Sequence, residues 1–137
     1  MNWTLEVVTV PVADVDRAKA FYAEKVGFAV DHDTRAAGGP GVVQLTPPGS
    51  SCSIVLNAAP VSAEPESRSA LQLVVPDVRA ARAELAGRGV EVGEVQVAGP
   101  EGFRTSTADD VLDDVGFVFF DDPDGNRWAV QQISARA

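Results

Sequence analysis

A single order of local signals runs through this 137-residue chain twice, which restricts it to folds made from two copies of one supersecondary unit. Leu5 to Val12 is a β-rich run. Asp14 follows, a residue whose carboxylate can accept the free amides of a helix's first turn, and Val15, Ala18, Tyr22 and Val26 then recur near helical spacing. Gly27 stops the helix, Phe28 to Asp31 resumes strand chemistry, and Gly38-Gly39-Pro40-Gly41 turns the chain into Val42 to Thr46. Pro47-Pro48-Gly49-Ser50 turns it once more into Ser53 to Asn57, completing a β-α-β-β-β module. The order then returns. Leu71 to Val75 is a strand, Asp77 caps, and Val78, Ala81 and Leu85 line a helix face up to Gly87 and Gly89. Val90 to Val97 reads as a strand, and Phe117 to Phe120 and Trp128 to Gln132 as a hairpin across Asp122-Pro123-Asp124-Gly125. The two caps set an offset of 77 − 14 = 63 residues, and matching Pro47 and Gly49 with Pro123 and Gly125 sets 123 − 47 = 76 for the closing strands. We therefore expect one α+β domain, with module one over 3–57, a Pro-, Ser- and Glu-rich linker over 58–69 and module two over 70–133.

Composition narrows the function classes. Hydrophobic residues make up 45% of the chain and charged ones 23%, so a core is within reach without disulfides, and the lone Cys52 sits in an apolar stretch that suits an inert thiol. Twenty acidic residues against eleven basic ones give a net charge of −9, which repels a polyanion and argues against nucleic acid. No apolar run approaches the roughly 20 residues of a membrane span, and the first residues lack a signal peptide's pattern. No membrane partner and a cytoplasmic location are the expectations.

Val12-Ala13-Asp14-Val15-Asp16-Arg17-Ala18-Lys19-Ala20-Phe21-Tyr22, Val26-Gly27-Phe28 and Asp122-Pro123-Asp124-Gly125-Asn126 together resemble the signature of the glyoxalase/bleomycin-resistance (vicinal oxygen chelate) superfamily over nearly the whole chain. The resemblance implies paired β-α-β-β-β modules whose eight strands curl around a cleft, with helices outside. It also implies a homodimer and, in the metal-dependent members, four inward His, Gln or Glu ligands. Here those positions fall on Val7, Ser53, Ala70 and Ala129, none of which normally binds a divalent metal, and His32 is the only histidine. No metal and no cofactor are expected.

Period-two alternation places Val7, Thr9, Ser53, Val55, Ala70, Gln72, Ala129 and Gln131 on the cleft side, with Val8, Val10, Ile54, Leu56, Leu71, Leu73, Trp128 and Val130 facing the helices. Gln44 and an aromatic wall from Phe119 complete the expected pocket. The long stretch from Ala98 to Val115 reads as a loop, with Phe103 and Arg104 as candidate lid residues. His32, between Asp31 and Asp33, reads as an exposed strand end. The leading expectation is a metal-free small-molecule binding protein resembling bleomycin-resistance proteins, sequestering a drug or natural product. Acidic charge favours a cationic ligand and apolar walls an aromatic one. A metal-independent isomerase, cyclase or lyase is the alternative, and a lactoylglutathione lyase or extradiol dioxygenase with relocated ligands a weaker one.

Overall fold

The computed structural model describes residues 1–35, 41–58 and 70–136. The chain divides into two compact units, Met1–Ser69 with Pro123–Asn126, and Ala70–Asp122 with Arg127–Ala137. The expected linker, beyond Ala58, and the Gly38-Gly39-Pro40 part of the expected turn lie outside the described residues.

In the first unit β1 (Val7–Val12) leads into α1 (Val15–Ala20), which continues as a π-helical segment (Phe21–Val26). The Asp14 carboxylate accepts from the Arg17 amide at 3.1 Å, as the capping reading required. Gly27, at φ 91°, closes the segment in the left-handed region that glycine occupies without a Cβ clash, and the Gly27 amide bonds the Tyr22 carbonyl at 3.0 Å. Strands β2 (Ala29–Asp33), β3 (Val43–Thr46) and β4 (Ser53–Ala58) complete a sheet of order β1-β4-β3-β2, in which β1 and β4 run parallel. Alternation decides its faces: Val10, Val12, Val43, Leu45, Ile54 and Leu56 are buried, as are Ala18, Tyr22 and Val26 of the helical stretch. The Tyr22 ring stacks on Phe28 at 5.7 Å.

The second unit repeats the plan. Strand β5 (Ala70–Val75) precedes α2 (Val78–Gly87), capped by the Asp77 carboxylate on the Ala80 amide at 3.0 Å. Strands β6 (Gln96–Gly99), β7 (Gly102–Thr105), β8 (Gly116–Asp121) and β9 (Arg127–Gln132) follow, and the sheet order is β5-β9-β8-β6-β7. Val118, Phe120, Trp128 and Val130 are buried with Val78 and Leu85 of α2, and the Phe120 and Trp128 rings stack at 6.0 Å.

Three expectations are corrected. The described strands number nine rather than eight, in sheets of four and five, because β7 forms inside what reads as a long loop. Its hairpin with β6 is closed by Pro100 and Glu101, and Gly102 at φ 102° takes the left-handed conformation the turn requires. The expected strand over Val90–Val97 shrinks to its end: Gly93, with no side chain to pack, makes a single amide bond to the Phe119 carbonyl at 3.1 Å, although Val90 and Val95 remain buried. Finally, Val7 pairs with Ser53 just as Ala70 pairs with Arg127, so the closing strands are offset by 127 − 53 = 74 residues rather than 76.

The turn between β8 and β9 does more than reverse the chain. Its residues Pro123–Asn126 belong to the first unit, where buried Asn126 donates Nδ2 to the Pro11 carbonyl at 2.9 Å and Arg17 pairs with Asp124 at 2.9 Å.

Candidate functional site

Each sheet has a face turned away from its helix. In the second unit the register sets Gln72, Ala129 and Phe119 in one row across β5, β9 and β8, and Val74, Gln131 and Phe117 in the next. The Phe117 and Phe119 rings lie parallel with centroids 6.1 Å apart, and Phe103 of β7 stands edge-on to both at 5.4 and 5.2 Å. Three phenylalanines are thus gathered on a helix-free sheet face, and Phe103 is 51% exposed. Arg127 lays its guanidinium carbon 4.8 Å over the Phe119 centroid. In the same rows, on the neighbouring strands, Gln72 Nε2 donates to Gln131 Oε1 at 2.6 Å, and Gln131 Nε2 donates to the Asp114 carbonyl at 2.7 Å. This pair of amides is fixed in orientation, with polar atoms beside an aromatic wall.

The lid residues land differently from expectation. Phe103 and Arg104 are successive residues of a strand, so their side chains leave opposite faces. Phe103 joins the aromatic cluster. Arg104 instead makes a bidentate contact with Asp110, at 2.7 and 3.0 Å, and Asp110 also accepts from the Thr107 amide at 2.7 Å. The Arg104 guanidinium, and then the Thr107 amide, hold the Asp110 carboxyl well below the usual carboxylate range. Arg104 is thereby a brace for residues 107–110. The β6–β7 turn, Gly99 to Arg104, borders an open depression of about 410 Å³.

In the first unit the helix-free face carries Val7, Ser53 and Thr46 in one row and Thr9, Val55 and Gln44 in the next, with His32 opposite Gln44. Ser53 is buried rather than presented to solvent: its hydroxyl lies 2.6 Å from that of Thr46, which in turn donates to the Asp31 carboxylate. His32 is exposed, as expected of a strand end. Cys52 is half-buried, with Sγ 3.7 Å from the Ser53 carbonyl.

The corrected offset changes one correspondence. Ala129 has Val55, not Ser53, as its first-unit counterpart, and Ser53 matches Arg127. Valine offers a metal no better donor, so the donor set at these positions is Val7, Val55, Ala70 and Ala129, with no nitrogen or oxygen in any side chain. Those residues do not fit a divalent metal. Among the described residues no three of His, Cys, Asp and Glu come together as a metal-binding group. Arg127, which stands over Phe119, is a residue of this face that sequence reasoning missed, and no spacing in the sequence signals it.

The fold, the helix-free faces and the motifs agree with a match of residues 4–130 to the family model described as Glyoxalase/Bleomycin resistance protein/Dioxygenase superfamily, and the chain belongs to that superfamily. Among solved structures it is similar to TnmS3, an antibiotic binding protein from Streptomyces sp. CB03234, at 31% identity and a TM-score of 0.69, covering 97% of this chain and 98% of that one. A glyoxalase/bleomycin resistance protein from the same strain is likewise 31% identical, with a TM-score of 0.66 over 94% of this chain and 100% of that one. UcmS2 is 27% identical, with a TM-score of 0.70 over 96% and 98%. No curated protein matches the chain. No helix among the described residues is long and apolar enough to cross a membrane.

Proposed function

We propose that the chain binds a planar aromatic small molecule on the helix-free face of its second unit, without a metal ion and without transforming it, as a protein that sequesters a drug or natural product would. The observation that carries this reading is the cluster of Phe103, Phe117 and Phe119. Apolar rings gathered on an uncovered face mark binding surfaces more often than bare scaffold. Gln72 and Gln131 supply the sparse polar groups that orient a ligand, and Ala70 and Ala129 leave room beside the rings. On the first unit's own face Val7, Thr9, Gln44 and Val55 form a separate surface from which buried Ser53, held by Thr46, is withdrawn, and the reading includes a cytoplasmic location and a homodimer. The description of TnmS3 as an antibiotic binding protein supports it. The alternative, an isomerase, cyclase or lyase, needs an acid or base beside the rings; the rows that carry Phe117, Phe119 and Gln72 hold none, and Asp121, in the next row, is paired with Arg127 at an exposed strand end.

The test has two parts. Elemental mass spectrometry, on chain purified without chelator and again after exposure to Zn, Mn, Fe, Ni and Mg, is expected to give less than about a tenth of an ion per chain. Acridine, as a planar aromatic probe, should then raise the melting temperature saturably while its mass stays unchanged; at one hundred times Kd the stabilisation is about 2.7 kcal/mol. Near one ion per chain, or a product of altered mass, would overturn the proposal. Light scattering on a sizing column is expected to give about 29 kDa, twice the 14.3 kDa chain.

A further inference from the structure

We infer that the molecule accepted by this aromatic face is an anion, with Arg127 as the residue that selects its charge; the inference rests on the aromatic-face reading above. The net charge of −9 points toward a cationic ligand, but that field is screened within about 8–10 Å in salt, and selection is made by groups at contact. Across β5, β9 and β8, the rows of this face carry two ionisable side chains, Arg127 and Asp121, which pair with each other at the strand ends. The Arg127 guanidinium already occupies the cation–π position over Phe119, at 4.8 Å, so a cationic ligand stacked there would meet a like charge.

Asp121 does not consume the guanidinium. Its Oδ1 lies 3.7 Å from Arg127 Nη1, beyond hydrogen-bond length, and the two side chains are 51% and 57% exposed. The planar fork therefore keeps donors to offer a ligand. A flat ring lying against the exposed Phe103 ring, which stands edge-on to Phe119, would bring an edge carboxylate, sulfonate or ionised phenol towards the fork that covers Phe119, and a planar anion is what that fork binds best. Gln72, one row further along, adds a neutral polar contact that tolerates such a group.

The test compares two dyes that share one ring system, anilinonaphthalene sulfonate and the uncharged phenylnaphthylamine, by fluorescence titration of the full chain. The sulfonate is expected to bind about three- to tenfold tighter, a gain reduced from that of a buried pair because Arg127 is half exposed. Arg127→Gln should bring the two dyes to parity, lowering the ratio of sulfonate to neutral affinity to about one. Asp121→Asn, which removes the competing carboxylate, should widen the preference, and it keeps the test open if the arginine variant fails to fold. Phe119→Leu should weaken both dyes. If both dyes bind in a Phe119-dependent way but equally, and Arg127→Gln changes neither, the charge assignment is overturned while the aromatic face stands. If neither dye binds, or Phe119→Leu changes neither, the face itself is the wrong site and this inference falls with it.

Discussion

Asn126 offers a sharp test of how the first unit is held together. Its side chain is fully buried, and Nδ2 donates to the Pro11 carbonyl at 2.9 Å. Asn126→Ala removes that bond and a small volume of packing, at a cost of about 2 kcal/mol. Asn126→Asp keeps the volume but turns a donor into an acceptor, setting a carboxylate against a carbonyl oxygen where water is excluded, at about 3–5 kcal/mol at pH 7. The donor, not the packing, therefore decides the order, and the isosteric change is the more damaging one. For a chain of this length about 3 °C is lost per kcal/mol, giving falls near 6 and 12 °C. Acidity adds a second signature. Burial and the facing carbonyl raise the introduced carboxyl above its unfolded value of about 3.9, so the folded state holds the proton longer and stability falls as pH rises through the folded value. The gap between Asn126→Asp and the parent should accordingly narrow as pH is lowered from 7 towards 4.5, since the protonated acid can donate again. Urea titrations followed by tryptophan fluorescence at several pH values measure both effects. An aspartate variant no worse than the alanine one, or a gap independent of pH, would refute the argument.

Gly116→Ala should cost about 1–3 kcal/mol in a thermal melt, because the added Cβ would sit 2.7 Å from Leu112 Cβ and 2.9 Å from its carbonyl oxygen, whereas Gly99→Ala, with its nearest neighbour at 3.8 Å, should stay within about 0.5 kcal/mol. Asp110 is held ionised by Arg104 and the Thr107 amide, so its contribution is present above the unfolded carboxylate range and is lost only as pH falls through the depressed folded value. The Thr107 amide resonance should thus be steady from pH 8 to 4 and move only in stronger acid. A midpoint near the ordinary aspartate value of about 3.9 would contradict the brace described for residues 107–110.

Alternation made the two sheets legible in the sequence, since burial of one face forces a period of two and leaves Val10, Ile54, Leu56, Trp128 and Val130 inside. Caps were legible for the same local reason: Asp14 and Asp77 each bond an amide three residues on, a chemistry independent of the rest of the fold. The short strand β7 was not, because Gly102-Phe103-Arg104-Thr105 is exposed throughout and shows no apolar alternation. Only the turn residues before it hint at a hairpin. The closing-strand offset erred by two residues, which preserves the face and so hid itself. It exchanged Ser53 with Val55 as counterparts of Ala129, whereas Arg127 escaped because its role depends on ring placement that no spacing encodes.

The placement of Pro123–Asn126 in the first unit bears on how the chain is made. A ribosome releases the first 69 residues well before the segment that grips Pro11 and Arg17, with 123 − 69 = 54 residues still to be added. At about 5–20 residues per second, the leading half waits roughly 3–10 s with its Pro11 carbonyl and Arg17 lacking these late partners. Completion of the first unit is thus deferred until Pro123–Asn126 are made, and a gene cut once at the linker would yield a leading fragment that never receives its clasp.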